Sequence, residues 1–302
     1  MKLIECVPNF SEGRDLSKIK AITNSIESID EITLLDVDPG PDTNRTVVTF
    51  VGPPEAVEQA IFLGIKTASE VIDMSKHKGT HPRIGATDVC PLIPISNISD
   101  KECVDLSKKI AKRVGIELGI PIFLYEKSST KNYRKRLPDI RKGEYEGLEK
   151  KLKNPKWKPD YGSATYNPLT GATILGVRDF LIAYNINLNT KSTRLANAIA
   201  FDIREKGRIK RKGHPVIGDI VYDKNGNPET IPGSLEHVKA IGWYIEEFGI
   251  AQISMNLTNI TKTPIHTVFE EVSKKAQNRG ARVTGSESVS YTHLTLPTNR
   301  EV

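Results

Sequence analysis

The sequence is poor in cysteine and has no long apolar segment. Only three of its 302 residues are cysteine, Cys6, Cys90 and Cys103, and their spacing matches neither a disulfide framework nor a zinc or redox motif. No apolar run approaches the roughly 20 residues that a membrane-spanning helix needs. A proline interrupts the N-terminal run MKLIECVPNF, which is untypical of a signal peptide. We therefore expect unpaired thiols, a cytoplasmic location and no membrane partner.

The chain carries an excess of positive charge, with a formal net charge of +6 at pH 7. A positive field attracts either nucleic acid or a small polyanionic ligand, and the charge alone does not separate the two. The basic residues are dispersed except in the runs KNYRKR, at 131–136, and REKGRIKRK, at 204–212. Because neither run is interleaved with the aromatic residues of a base-stacking surface, we do not expect a nucleic-acid partner.

Hydrophobic periodicity predicts the same order of elements, β-α-β-β-α, in two parts of the chain. The first part predicts strands at 2–8, 32–37 and 45–52, and helices at 11–29 and 54–74. The second part predicts strands at 180–188, 238–245 and 251–257, and helices at 192–206 and 264–279. The repetition indicates an α+β protein of two subdomains, residues 1–178 and 179–287, each a split βαβ sheet with helices on one face. We expect a ligand cleft between them.

The remaining segments are less regular. We predict a strand at 89–95, a helix at 99–118 that opens with a capping box formed by Ser99 and Glu102, and a strand at 121–125. The first helix, at 11–29, has Ser11 or Ser17 as its candidate N-cap. Residues 126–170 predict an irregular excursion with short helices, and 207–234 predict a loop or hairpin with a turn at Asn225-Gly226. The last residues, 288–302, are threonine-rich and aperiodic and resemble a translated adapter, so we predict a non-native tail there.

The densest chemical segment is HKGTHPRIGATD, at 77–88. Its two histidines, His77 and His81, can exchange protons near neutral pH, and its glycines favour a sharply bent loop. Metal ligation is a poor alternative, because the two histidines lack helical spacing and no third ligand is evident. A loop without a catalytic role is an equally good alternative on these residues alone.

Two further segments place polar residues at the ends of predicted strands. Asp38 and Arg45 lie in DVDPGPDTNR, at 36–45, where a binding site and a plain turn are both reasonable interpretations. Asn9 lies in VPNFSEG, at 7–13, where it could contact a ligand or belong to an ordinary helix entry.

Two other segments are open to the same pair of interpretations. The segment YGSATYNPLTG, at 161–171, has small residues and two tyrosines that could line a flat aromatic ligand or simply link two elements. Asn185 and Asn187 alternate along a predicted strand, where such amides could orient a ligand or be ordinary polar residues of a sheet edge.

Together these segments resemble the signature blocks of the glutamate formimidoyltransferase (formiminotransferase) family. The similar strings are ECVPNFSEG, LLDVDPGPDTNRTVVTFVGPP, IDMSKHKGTHPRIGATDVCPLIP, GIPIFLYE, RKGEYEGL, FLIAYNINL and the IGWY and HTVFEE blocks. They span about residues 2–287. Because no cyclodeaminase domain accompanies them, the resemblance is to the monofunctional form of the family.

The resemblance implies two ferredoxin-like α/β subdomains in a homodimer, with a ligand cleft or tunnel between the subdomains. It places the catalytic histidine on His81, and Asp38 and Arg45 among the polar positions that line the active site. We expect Asn9 and Arg83 to bind substrate as well. Tetrahydrofolate is the implied co-substrate, with no metal. The implied folate-binding stretch consists of Gly162, Ser163, Ala164, Thr165, Tyr166, Asn167, Pro168, Leu169, Thr170 and Gly171.

The implied reaction moves the formimino group of N-formimino-L-glutamate to N5 of tetrahydrofolate in histidine degradation. We expect His81 to accept the N5 proton and then to protonate the departing glutamate nitrogen. Asp38 would stabilise the cationic carbon or orient His81, and Arg45 or Arg83 would hold a substrate carboxylate. Two alternatives stay open: formyl transfer from N-formylglutamate, and a non-catalytic folate- or RNA-binding module.

Overall fold

The structure, a computed structural model, describes residues 1–214, 217–246 and 248–289. The chain divides into two compact units, one up to Arg178 and one from Asp179 onward. Both units combine helices with a β-sheet, so the predicted α+β class is confirmed. Within the described ranges, no helix is long and apolar enough to cross a bilayer. The proposed non-native tail falls, except for its first two residues, outside the described part of the chain and stays a prediction.

The first unit is built on a seven-stranded sheet. Its order is β3-β4-β1/β2-β5-β7-β6, in which β1 and β2 share one position between β4 and β5. The pairs β5–β7 and β6–β7 are parallel, and the other pairs are antiparallel. The strands are β1 (Leu3–Cys6), β2 (Asn9–Phe10), β3 (Thr33–Gly40), β4 (Arg45–Gly52), β5 (Thr87–Ser96), β6 (Ile122–Glu126) and β7 (Thr173–Val177).

The strand predicted at 2–8 corresponds to β1, and a second short strand, β2, follows it. Both strands pair with β4 in one continuous register. Glu5 of β1 faces Val51, and Asn9 of β2 faces Val47, so both strands advance by four residues together with β4. Side chains of a strand alternate between its two faces, so Glu5 and Asn9 lie on the same face of the sheet. The break between the two strands contains a proline, which has no N–H to donate to the ladder.

Strand β7 is an addition to the predicted elements. Its residues, TILGV, are all buried and show no polar alternation, which is typical of a strand paired in parallel and covered on both faces. The run is short and follows the irregular excursion directly, so periodicity alone does not separate it from its surroundings.

Five α-helices accompany this sheet, together with short 3₁₀ turns at Asn132–Arg134 and Pro155–Trp157. The predicted capping box on α3 is confirmed, since both Ser99 and Glu102 make their reciprocal bonds. The short helices in the excursion after β6 are also confirmed. The helices are α1 (Leu16–Glu27), α2 (Pro54–Val71), α3 (Asp100–Glu117), α4 (Leu137–Arg141) and α5 (Leu148–Leu152).

The first helix begins later than predicted. Its N-cap is Asp15, whose carboxylate accepts hydrogen bonds from the main-chain N–H groups of Ser17 and Lys18. The predicted caps, Ser11 and Ser17, are therefore wrong. The Ser11 hydroxyl instead donates to the carbonyl of Gly85 at 2.7 Å, so it fixes a long-range contact and is not free to cap a helix.

Helices α1, α2 and α3 pack on one face of this sheet through a continuous apolar core that includes Ile4, Phe10, Val48 and Phe50. Each such side chain stabilises the fold by roughly 1.5–3 kcal/mol when fully buried. A second cluster, which includes Phe123, Ile140 and Ile174, joins the excursion to the sheet. All three cysteines are buried and unpaired, as expected.

The second unit has an antiparallel four-stranded sheet in the order β11-β12-β8-β13. Apart from two short strands that follow its first helix, its element order with the helices inserted is β-α-β-β-α-β, the split βαβ arrangement. The elements are β8 (Ile182–Leu188), α6 (Thr193–Ile203), β9 (Arg208–Ile209), β10 (Thr230–Ile231), β11 (Val238–Ile245), β12 (Ile250–Leu257), α7 (Ile265–Gln277) and β13 (Val283–Val289). The predicted cleft between the units stays a prediction.

The segment at 207–234 contains a hairpin, formed by β9 and β10. Its predicted turn at Asn225-Gly226 is confirmed. The Asp223 carboxylate accepts hydrogen bonds from the N–H groups of Asn225 and Asn227 at 2.8 Å each, and Gly226 has a φ of +79°. Such a positive φ costs glycine little.

Candidate active site

The histidine-rich loop at 77–88 is held against the start of β4 by Asn44. The Asn44 side chain accepts a hydrogen bond from Gly13 N at 3.0 Å and donates one to Lys78 O at 3.0 Å. Its main-chain oxygen accepts from His77 Nε2 at 2.8 Å. Asn44 has a φ of +48°, a conformation that asparagine adopts more readily than most residues. One buried residue thus fixes three segments around the loop.

Both ring nitrogens of His77 are engaged by the protein. Nε2 donates to the carbonyl of Asn44, and Nδ1 accepts from Arg83 Nε at 3.2 Å. These partners place the ring proton on Nε2. Burial lowers the pKa of His77. The ring is therefore neutral at pH 7 and links two segments, with neither nitrogen free to accept a proton.

Asn9, Arg45 and His81 form a hydrogen-bonded network. Arg45 Nη1 donates to Asn9 Oδ1 at 2.7 Å and contacts His81 Nε2 at 3.0 Å. Asn9 Nδ2 donates to Val7 O at 2.9 Å, which orients the amide. Because a guanidinium group is always protonated, His81 Nε2 must be the acceptor, and the ring proton is on Nδ1. In the described part of the chain, that buried Nδ1 has no hydrogen-bond partner.

The environment of His81 strongly disfavours its protonation. Burial, followed by the positive charges of Arg45 and Arg141, lowers the pKa of His81 to about 3. An unperturbed histidine titrates near 6.5. The ring is therefore neutral in the free protein. Its basicity depends on its burial and on how close the guanidinium groups of Arg45 and Arg141 lie to it.

Asp38 lies on the same sheet face as Asn9 and Arg45. Asp38 and Asn9 face Val47 from opposite sides of β4, and Arg45 is two residues from Val47 on that strand. Directly opposed residues, and residues two apart on one strand, share a face. The register thus gathers three of the predicted polar residues, and Asp38 is exposed there.

Arg83 lies apart from this network, at a cavity of ≈ 710 Å³ that is also lined by His77 and by the turn containing Glu144 and Glu146. Its Nη1 and Nη2 donate to Glu146 at 3.0 and 2.6 Å, and Nη1 reaches Glu144 at 3.3 Å. With Nε bonded to His77, every guanidinium nitrogen has a protein partner. The predicted role of Arg83 in holding a substrate carboxylate would therefore require the exchange of an acidic partner.

A buried ion pair anchors the end of the loop. The fully buried Asp88 accepts from Ile84 N at 3.0 Å through Oδ1 and from Arg141 Nη2 through Oδ2. Burial raises the pKa of Asp88, although the charge of Arg141 acts in the opposite direction. The pair also fixes Arg141 where its charge lowers the pKa of His81.

The predicted folate-binding stretch, 162–171, is a largely exposed segment. Its C-terminal end is joined to the histidine loop, since Ala86 N donates to Thr170 O at 2.9 Å. Gly171 has a φ of +64°, and a Cβ on it would lie 2.3 Å from the carbonyl oxygen of Ile84. The segment can therefore approach the loop this closely only because residue 171 is glycine.

Several residues that shape the site are absent from the predicted set. Asn44 lies in the segment at 36–45, for which a binding site and a turn were both open, and Asp88 closes the dense segment at 77–88. Glu144 and Glu146 lie in RKGEYEGL, one of the strings that carried the resemblance. These residues thus lie in segments that the sequence had already marked, but the residues they contact are distant in sequence. Among the residues that the structure describes, no group of three or more His, Cys, Asp or Glu side chains is placed to hold a metal ion.

The fold and the site define an α+β protein with a neutral, arginine-bound histidine, in which an exposed carboxylate shares a sheet face with that arginine. Sequence comparison then identifies the family. The profile of the formiminotransferase domain, N-terminal subdomain, matches residues 3–178, and that of the formiminotransferase domain matches residues 183–296. The chain belongs to the formiminotransferase family.

Curated relatives agree with this membership. The chain is 51% identical over 294 residues to a formimidoyltransferase-cyclodeaminase of Dictyostelium discoideum, covering 97% of this chain and 51% of that protein. It is 41% identical to glutamate formimidoyltransferases of Streptococcus pyogenes serotype M1 and Thermoplasma acidophilum, covering 95% and 96% of this chain and 88% of each relative. The chain thus spans about half the length of the cyclodeaminase-containing relative and most of the other two.

Proposed function

We propose that this chain transfers the formimino group from N-formimino-L-glutamate to N5 of tetrahydrofolate, giving 5-formimidoyltetrahydrofolate and L-glutamate in histidine degradation. Membership of the formiminotransferase family over both matched regions carries the proposal. The relatives of which the chain covers 88% bear the name glutamate formimidoyltransferase. A homodimer and a cytoplasmic location are part of the same proposal.

In the proposed reaction, the formimino group reacts as its amidinium cation. The lone pair of N5 attacks the formimino carbon, and the C=N π electrons move to the protonated imino nitrogen, which becomes a neutral amino group. His81 accepts the proton that N5 then carries, which leaves a tetrahedral carbon bonded to N5, the amino group and the glutamate nitrogen. The histidinium protonates the glutamate nitrogen, the C–N bond to glutamate breaks, and the amino lone pair restores the C=N bond. His81 is neutral at the start and at the end. Positioned proton transfer of this kind contributes about 10²–10⁴-fold.

Arg45 connects substrate binding to the basicity of His81 in this proposal. Arg45 Nη1 occupies the lone pair of His81 Nε2 in the free protein. A carboxylate is a stronger acceptor for a guanidinium group than a neutral imidazole is. A substrate carboxylate that binds Arg45 would therefore free Nε2 and compensate the positive charge, and both effects raise the pKa of His81 toward a useful range.

The other predicted residues have distinct roles in the proposal. Asp38, exposed on the same sheet face as Arg45, stabilises the cationic formimino carbon. The segment 162–171 binds tetrahydrofolate, which its exposure and its attachment to the histidine loop support. Arg83 binds substrate by exchanging Glu144 for a substrate carboxylate, since that contact is the longer of its two ion pairs.

The test is transfer activity with two donors. Purified protein receives tetrahydrofolate with either formiminoglutamate or formylglutamate, and acid conversion of the product to methenyl-tetrahydrofolate is followed by absorbance. We expect turnover with formiminoglutamate and a loss of roughly 10²-fold or more in kcat for His81→Ala. Turnover with formylglutamate alone would identify formylglutamate, and not formiminoglutamate, as the donor. A folded protein that binds tetrahydrofolate but transfers neither group would overturn the proposed function.

A further inference from the structure

A buried carboxyl group with an unpaired oxygen lies in the first unit, outside the network described above. Glu5 is 3% exposed, and its Oε2 has no hydrogen-bond partner within the described ranges. Thr49, on the neighbouring strand β4, is 0% exposed, and its Oγ1 is likewise unpaired there. Buried polar groups are normally hydrogen-bonded, and leaving one unpaired costs free energy. Two such groups close together point to a partner that the described part of the chain does not supply.

The sheet register places these groups on the face that carries the proposed active site. Glu5 faces Val51, and Thr49 is two residues from Val51 on β4, so the two side chains are diagonal neighbours on one face. Asn9 lies on the same face, four residues from Glu5, which corresponds to about 13 Å along the strand direction. A polar strip therefore runs from Glu5 and Thr49 to Asn9.

Packing among the described residues does not supply the missing partner. The charge of Arg178 acts on Glu5, yet Oε2 keeps no hydrogen bond. The adjacent positions on this face, Val51 and Ile93, are apolar and lie opposite Glu5 on the two flanking strands.

We propose that Glu5, together with Thr49, binds the 2-amino-4-oxopyrimidine edge of the tetrahydrofolate pterin ring. This edge presents two neighbouring N–H donors, from the 2-amino group and N3, which match the two oxygens of a carboxylate. The hydroxyl of Thr49 can donate to a ring acceptor beside them. The inference rests on the proposed function, since it concerns the same co-substrate.

The pterin ring spans about half of the strip of roughly 13 Å. A fused bicycle built from bonds of about 1.3–1.5 Å separates N5 from the 2-amino group by roughly 6 Å. A ring held at one end by Glu5 therefore extends toward Asn9 and Arg45 and brings N5 toward His81. The amidine of the formimino group also presents paired N–H donors, but its carbon must lie beside His81 and not at the far end of the strip.

The test measures ligand binding by titration calorimetry in wild type, Glu5→Gln and Thr49→Val at about pH 8, where Glu5, whose pKa burial raises to about 7, is ionised. The ligands are tetrahydrofolate and an analogue whose 2-amino group is replaced by methyl. We expect Glu5→Gln to weaken tetrahydrofolate binding by roughly 10–100-fold, the loss typical of a hydrogen bond to a charged group. We expect the analogue to bind wild type weakly and to be insensitive to Glu5→Gln. Both variants should fold, because Thr49→Val removes an unpaired buried hydroxyl and Glu5→Gln replaces a buried ionisable carboxyl group with a neutral amide of the same shape.

Glu58→Gln is the matched control. Glu58 is another buried acid of the first unit, but it lies on α2 and pairs with Lys109 at 2.7 Å. This variant should bind tetrahydrofolate as wild type does. Thermal unfolding of each variant verifies its fold.

Three outcomes would overturn the proposal. In the first, Glu5→Gln binds tetrahydrofolate as wild type does while wild type still transfers the formimino group, so the proposed function stands without this contact. In the second, Glu5→Gln raises the KM for formiminoglutamate and leaves tetrahydrofolate binding unchanged, which assigns Glu5 to the formimino group. In the third, wild type neither binds tetrahydrofolate nor transfers the group, and both proposals fail together.

Discussion

Nη1 of Arg45 lies 3.0 Å from Nε2 of His81 and donates to it. The same nitrogen also donates to Asn9 Oδ1 at 2.7 Å. One cation thus occupies the basic nitrogen of the histidine, fixes its tautomer and lowers its pKa. In the free protein this arrangement opposes proton transfer by His81, so the proposed catalysis depends on what moves Arg45.

Removing the charge of Arg45 should raise the pKa of His81. For Arg45→Met we expect a shift from about 3 toward the unperturbed value near 6.5, with burial and Arg141 still holding it below that value. The measurement is a titration of the His81 ring resonances by NMR. Arg113→Met, on α3, is the charge-matched control and should leave the resonances unchanged. An unchanged His81 pKa in Arg45→Met would contradict the coupling between the two residues.

Breaking the ion pair of Asp88 and Arg141 should destabilise the first unit strongly. Removal of one partner leaves an uncompensated charge or polar group in a buried position, which costs about 3–5 kcal/mol. We expect this loss for Arg141→Met, and a smaller loss for the double variant Asp88→Asn/Arg141→Met, because the double variant leaves no isolated ion. Urea unfolding gives both values. A loss in the double variant equal to the sum of the losses in Arg141→Met and Asp88→Asn would show that the pair is not coupled.

Elements defined by local chemistry were predictable from the sequence. The β-branched run RTVVTFVG forms β4 over its whole length, and the capping box of Ser99 and Glu102 joins residues only three positions apart. Such signals need no knowledge of the tertiary fold. The segments that contain Asn9, Arg45 and His81 were singled out by their polar residues, but the roles assigned to them rested on the family resemblance and stay a prediction.

The connections within the site were not predictable in the same way. Arg45 and His81 are 36 positions apart, and no local pattern indicates that they share a hydrogen bond. Arg83 was expected to be free for substrate, but two glutamates more than 60 positions further along the chain pair with it. The hydroxyl of Ser11 is taken by Gly85, 74 positions away, so the helix starts at the next suitable cap, after Asp15. Each of these outcomes was decided by tertiary contacts.

Gly171→Ala should weaken tetrahydrofolate binding more than it affects the rest of the fold. The substitution puts a Cβ 2.3 Å from the carbonyl oxygen of Ile84 at a φ of +64°, so the proposed folate-binding segment must move away from the histidine loop. Gly119→Ala is the control, since Gly119 has a similar φ of +68° but open space around it. It should cost only the conformational penalty of about 1–2 kcal/mol. Equal Kd values for tetrahydrofolate in the two variants would contradict the inference that tetrahydrofolate binding depends on the close approach of segment 162–171 to the histidine loop.

The buried acid Glu5 should make stability depend on pH. Burial raises the pKa of Glu5 from 4.5 to about 7, against a lowering effect of Arg178. Between these two values the folded protein holds a proton that the unfolded chain has released. The contribution of Glu5 to stability is therefore complete below about pH 4.5 and is lost as the pH rises through 7, by up to about 3 kcal/mol.

Glu5→Gln removes this dependence. We expect the variant to gain stability over wild type as the pH rises from 5 to 8, and to approach wild type at the acidic end. The lowered pKa of His81 changes stability with pH in the opposite direction, because between about pH 3 and 6.5 the unfolded chain binds a proton on this histidine and the folded protein does not. This contribution is the same in wild type and in Glu5→Gln, so it cancels in their difference. Thr49→Val carries no ionisable group and should keep the pH slope of wild type. Urea unfolding at each pH gives the differences, and a constant difference between Glu5→Gln and wild type across the range would show that Glu5 does not hold its proton in the folded state.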